Sequence, residues 1–126
     1  MLVLTFQTPL IQNELVRAGQ SIETSLTGFV KRIKVLTDHL NRIGTDTDDH
    51  EFRLEVTKEL GATANLASQL RDSITKYGLI SVPFAEQADR NDKQQAYNQK
   101  LSELVGKFQD VTKKIKDKEQ LYFELA

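Results

Sequence analysis

The sequence predicts an all-α fold, an antiparallel up-down-up three-helix bundle with long helices, and three observations point to it. Only two Pro and no Trp occur in 126 residues, and Leu, Ile, Gln, Lys and Glu, all compatible with helix, dominate. Apolar residues recur at steps of three and four along three long stretches. Two interruptions rich in turn and capping residues separate those stretches. At this length and 39% hydrophobic content, the chain suffices for one domain with a continuous core and is too short for two.

Helix one opens at "TPL", where Thr8 can cap and Pro9 sits at the first helical position, whose missing N–H and fixed φ are harmless there. Its stripe runs through Ile11, Leu15, Ala18, Ile22, Phe29, Ile33, Leu36, Leu40 and Ile43, with Ser25 as a polar member. Gly44 follows as the residue that ends the helix at positive φ, giving a first helix over about 9–43. In "DDHE", Asp48 is placed as N-cap with Glu51 three residues on, a capping box that starts the next helix.

Helix two, about 49–77, carries Phe52, Val56, Leu60, Thr63, Ala67, Leu70, Ile74 and Tyr77, and is ended by Gly78 with Lys76 in the last turn. "GLISVPFAEQADR" has no helical stripe and Pro83 holds Val82 extended, so it reads as a long connection. Helix three, about 91–125, has the most regular seam: Tyr97, Leu101, Leu104, Phe108, Val111, Ile115, Lys118, Tyr122 and Leu125. At ~1.5 Å per residue the three helices span about 45–55 Å, well matched side by side. The interior glycines Gly19, Gly28, Gly61 and Gly106 are expected where helices approach closely, because each lowers helix stability by up to ~1 kcal/mol relative to Ala.

Charge and chemistry exclude more than they propose. The 17 basic and 18 acidic residues nearly cancel, so no global field favours nucleic acid or an anionic membrane. The chain has no Cys, which removes disulfides, thiolate nucleophiles and Cys-based zinc sites. "MLVLTF" lacks the basic region of a secretory signal, and no segment approaches the ~20 apolar residues of a membrane span, so the chain is expected to be soluble as written.

The acids Asp46, Asp48, Asp49 and Glu51 lack the Gly and the terminal Glu of a calcium loop, and read as helix capping. His39 and His50 fall near the same end of the bundle without a third ligand, and neither has a Ser or Cys neighbour. With no phosphate-binding glycine loop either, no cofactor, metal or enzyme activity is expected. "KKIKDK", from Lys113 to Lys118, is interleaved with acids and reads as a solvated helix face. Val16, Leu26, Val30, Val35, Leu54, Leu66, Val105, Leu121 and Phe123 lie outside the stripes; most are expected at core edges, with a leftover groove for a fourth amphipathic helix as the alternative.

The passage "LNRIGTDTDDHEFRLEVTKELGATANLASQLRDSITKYG" resembles the Ha to Hb passage of syntaxins, the Qa-SNAREs, particularly their endosomal and vacuolar branch. "LSELVGKFQDVTKKIKDKEQLY", with Phe108 and Gln109 followed by Lys, Glu and Gln, is similar to the Hc helix of the same family. The likeness runs from about Phe6 to Tyr122 and rests on the order of the fragments, the turn position and the long second connection. It implies an N-terminal Habc domain that regulates membrane fusion and vesicle transport. Such a bundle folds back on its own SNARE motif, or offers a surface to a Sec1/Munc18-type protein or a trafficking adaptor, and so controls assembly with cognate SNAREs.

The groove that closed syntaxins use lies between the second and third helices, where Leu66, Val105 and Leu121 are the candidate partner residues. The resemblance places a membrane-anchored parent on the cytosolic face of endosomal, vacuolar or late Golgi membranes. The SNARE motif and the anchor are not in this sequence, which is then expected to be a fragment that is monomeric by itself. The alternative is a structural coiled-coil or helical-bundle scaffold, an oligomerisation module joined through the seam of helix three.

Overall fold

A computed structural model describes the backbone of residues 2–125 and the side chains of 14–122. Three helices, α1 (Leu2–Arg42), α2 (His50–Gly78) and α3 (Phe84–Leu125), each pack against the other two. Contacts at both ends fix their directions. Tyr97 on α3 reaches Glu23 on α1, and Lys118 reaches the Leu40 carbonyl, so α1 and α3 run parallel. Gln94 donates to the Ile74 carbonyl at one end and Arg53 meets Glu119 at the other, so α2 runs antiparallel to α3.

The three stripes supply the core. Ile22, Phe29 and Leu36 from α1, Ile43 directly after it, Phe52, Val56, Leu70, Ile74 and Tyr77 from α2, and Leu101, Leu104, Val111 and Ile115 from α3 are all buried. Thr63, the polar member of the α2 stripe, is fully buried and returns its hydroxyl to the Glu59 carbonyl at 2.7 Å, so no donor is left unpaired. The core falls into two clusters. One is built around Ile22, Phe29, Leu70, Ile74, Tyr77 and Leu101, the other around Leu36, Ile43, Phe52, Val56, Val111 and Ile115. Phe108 packs against both, and its ring lies 6.0 Å from that of Phe29.

Helix boundaries depart from the sequence expectation in three places. α1 starts at Leu2 rather than Pro9, with helical backbone continuing through the proline, which has no N–H to give the Thr5 carbonyl. The Thr8 cap and the side chains of Ile11, Phe123 and Leu125 lie outside the described residues. α3 starts at Phe84 rather than near 91, which shortens the connection to 79–83. Pro83 restricts only the residue before it; its carbonyl accepts the Glu86 N–H at 2.9 Å and opens the helix. Good helix formers and Glu86 in the first turn sustain α3 there without an apolar stripe.

The α2 cap is Asp49, not Asp48. Asp49 is extended at φ −118° and its Oδ1 accepts the Phe52 N–H at 2.8 Å, which puts Phe52 where the capping box needed Glu51. Asp48 is engaged elsewhere. Its two oxygens take Arg53 Nε at 2.6 Å and Nη2 at 2.7 Å, and Oδ2 also accepts the Gly44 N–H at 2.7 Å. Gly44 has φ +84°, as its place after α1 requires, and the Tyr122 ring occupies the space where a Cβ would stand. Arg42 lies 4.2 Å over the Phe52 ring and holds Thr47 through its hydroxyl and carbonyl, so the turn is pinned from both sides.

Glycine placement also differs. Gly78 is the last residue of α2 and does not have positive φ; the Gln94 amide, reaching for Ile74, fills the space a side chain would take. Of the four interior glycines, only Gly19 marks a close approach, with Tyr97 Oη 3.0 Å from a Cβ position. Gly28, Gly61 and Gly106 face open space. With no packing to offset the helix penalty, Gly61→Ala and Gly106→Ala are each expected to stabilise the fold by about 0.5–1 kcal/mol. Urea midpoints of the two variants check this; a midpoint at or below that of the parent contradicts it.

Candidate functional site

The α2–α3 face receives the three candidate groove residues unequally. Leu66 and Val105 are half-buried and pack against the same cluster as Leu70, Ile74 and Leu101. The antiparallel register set by Gln94 and Arg53 places them at the same height. Beside Val105 is a surface cavity of about 260 Å³, bounded by Arg71 from α2 and by Asn98, Leu101 and Ser102 from α3. Leu121 is half-exposed and stands sixteen residues further along α3, about 24 Å from Val105 at helical rise. The structure therefore joins Leu66 to Val105 and leaves Leu121 at the far end of the same helix. At about 100° per residue those sixteen residues also turn Leu121 about 160° away from Val105, onto the side of α3 that carries Lys100 and Lys107, so a helix laid along α2 and α3 does not meet it.

The other residues outside the stripes are mostly on the surface. Leu26 is buried, whereas Val16, Val30, Val35 and Leu54 are exposed, so the expectation that most of this set lies at core edges is corrected. The reason is geometric: four or more buried positions per helix from the stripes already fill a three-helix core, and side chains one step off the stripe point past both neighbours. Sequence reasoning also missed a second groove, between α1 and α3. Val30, Ile33 and Leu104 line a cavity of about 370 Å³ together with Lys34, Lys100 and Lys107. Lysines at the edges of two apolar stripes were a visible signal; that the two edges meet was not.

Acid–base chemistry is sparse. Tyr97 stacks edge-on against Tyr77 at 5.3 Å and donates to Glu23 at 3.1 Å. Burial, and then the Glu23 carboxylate, push its phenol up to about 12, so it stays protonated near neutral pH. His39 packs edge-on against Phe52 rather than reaching His50, and no group of three or more His, Cys, Asp or Glu converges among the described residues. In the basic run of α3, Lys113 pairs with Asp117, Lys114 with Asp110, and Lys118 with the Leu40 carbonyl.

Among the described residues no helix is long and apolar enough to cross a membrane. From Leu101 to Ile115 the α3 seam is covered by α1 and α2 within the same chain. Comparison with protein-family models, with curated proteins and with solved structures gives no match.

Proposed function

We propose that the bundle is an interaction domain that regulates SNARE assembly, in the manner of the N-terminal domain of an endosomal or vacuolar syntaxin. The observation that carries the reading is the antiparallel packing of three long helices, with Leu66 and Val105 brought level beside a surface cavity on the α2–α3 face. It is supported by the resemblance in the turn and in the α3 sequence. The five-residue second connection removes one of the features on which that resemblance rests. The partners are a SNARE helix laid along α2 and α3, or a Sec1/Munc18-type protein or adaptor on the same surface. The scaffold alternative gains nothing from α3, whose heptad seam is already used within the chain.

The test is a titration of the domain with a syntaxin SNARE-helix peptide, read by amide NMR shifts. Shifts are expected on the facing sides of α2 and α3, and Ser102→Glu, at an exposed residue lining the α2–α3 cavity, is expected to weaken binding about tenfold, the effect of ~1.4 kcal/mol at an interface anchor. Leu66→Glu weakens it further, but Ser102, being exposed, gives the variant that keeps the fold, and Leu121→Glu, on the other side of α3, should leave binding unchanged. No shift at high peptide concentration overturns the self-binding reading.

A further inference from the structure

The α1–α3 face differs from the α2–α3 face in charge and in the size of its cavity. Its cavity is the larger, about 370 Å³ against about 260 Å³. Val30, Ile33 and Leu104 form an apolar floor, and Val30 is exposed. Lys34 stands on the α1 side and Lys100 and Lys107 on the α3 side, while no Asp or Glu lines the groove. Elsewhere on α3, Lys93, Lys113 and Lys114 lie 3.0–3.4 Å from carboxylates four residues away, Lys118 donates to the Leu40 carbonyl, and Lys116 has no ion pair among the described residues. Here Lys107 has only a looser contact, 3.7 Å from Glu103, and Lys34 and Lys100 have no ion pair among the described residues. A chain of net charge −1 thus gathers three cations around one apolar trough.

From this we infer that the α1–α3 groove is a second docking site, whose occupant is an acidic amphipathic helix of another polypeptide. Each part of the groove selects for that chemistry. The floor takes the apolar stripe of a helix, with anchors at steps of three and four. Lysines on both banks pair with acids flanking that stripe on either side, which steers association and fixes orientation. A flat anionic bilayer would present headgroups to the lysines but no apolar ridge to the floor between them. The site lies on a different pair of helices from the α2–α3 surface and does not depend on the function proposed above.

The probe is a synthetic helical peptide of about 20 residues, with Leu at steps of three and four and Glu on both flanks, beside a twin carrying Lys in place of Glu. Amide shifts in the 126-residue chain are expected at Val30, Lys34, Thr37, Lys100 and Lys107 with the Glu peptide and not with its twin. Raised salt is expected to weaken the complex. Lys34→Glu with Lys100→Glu should lower affinity for the Glu peptide at least about tenfold and transfer binding to the Lys peptide, a reversal that unfolding would not produce. Equal binding of both peptides, shifts confined to α2–α3, or no shift overturns the inference. So do shifts of these residues by phosphatidylserine vesicles without peptide binding, which would assign the lysines to a lipid surface, and a concentration-dependent doubling of mass through this face, which would assign it to a second copy.

Discussion

Phe29→Ala is expected to destabilise the bundle by about 3–5 kcal/mol, the range for removing a fully buried aromatic side chain. Phe29 has no exposed surface and its ring meets Phe108, the residue that packs against both core clusters, so the loss falls where the two halves join. Against a total stability of about 5–15 kcal/mol, such a loss leaves a marginal fold. With a urea dependence of about 1–3 kcal/mol per molar, the midpoint should fall by roughly 2 M. Leu79→Ala is the control, since Leu79 is 77% exposed and should leave the midpoint unchanged. Equal shifts in the two variants would contradict this account of the core.

The second large effect is expected at the turn between α1 and α2. Asp48→Asn removes the charge from an acceptor that holds both Arg53 and the Gly44 N–H, and should destabilise by about 1.5–3 kcal/mol at neutral pH. The Asp48 side chain is only 7% exposed, so solvent screening is slight; the Arg53 contact with Glu119, 3.4 Å long and more open, adds less than about 1 kcal/mol.

The Arg53 hydrogen bonds hold the Asp48 carboxyl below its ordinary range, with further help from the Gly44 N–H and the nearby positive charges, against a smaller opposing effect of burial. A carboxyl whose folded-state pKa is depressed contributes stability that is full above its unfolded value of about 3.9 and is lost as pH falls through the folded value. The gap in urea midpoint between the parent and Asp48→Asn should therefore be widest near neutral pH and narrow as pH falls from about 5 to about 2. A gap that is constant over that range would show that the charge is not what stabilises the turn.

How far the sequence was readable follows from the kind of signal each feature uses. The three stripes were legible because burial repeats every three or four residues, and Ile22, Phe29, Leu36, Val56, Ile74 and Ile115 all lie where periodicity puts them. The first seven residues of α3 were not, because residues 84–90 are helical through propensity and capping, with no apolar face to betray them. Asp48 and Asp49 have the same chemistry in adjacent places; which of them caps is decided by Arg53, whose fork fits Asp48 with two bonds. The open surroundings of Gly28, Gly61 and Gly106 depend on helix rotation in the packed bundle. The candidate groove was partly legible. Leu66 and Val105 meet at one height, whereas the isolation of Leu121 and the lysine-lined groove follow from register and from which stripe edges adjoin.

The division of the core gives acid unfolding a direction. The cluster around Leu36, Ile43, Phe52 and Ile115 adjoins the turn that Asp48 and Arg53 clasp, while the cluster around Tyr77 and Leu101 is closed by Gln94 on Ile74 and by Arg90 on the Ile80 carbonyl. Both of those closing bonds use groups that keep their charge state in acid. The Asp48 clasp, with two bonds to Arg53 and one to Gly44, outweighs the single carboxylate contact at the other end, Tyr97 on Glu23, so amide exchange is expected to quicken first from Leu36 to Val56 and around Ile115 as pH falls. The molecule has a soft pole and a hard pole, a distinction that three helices of similar composition do not advertise.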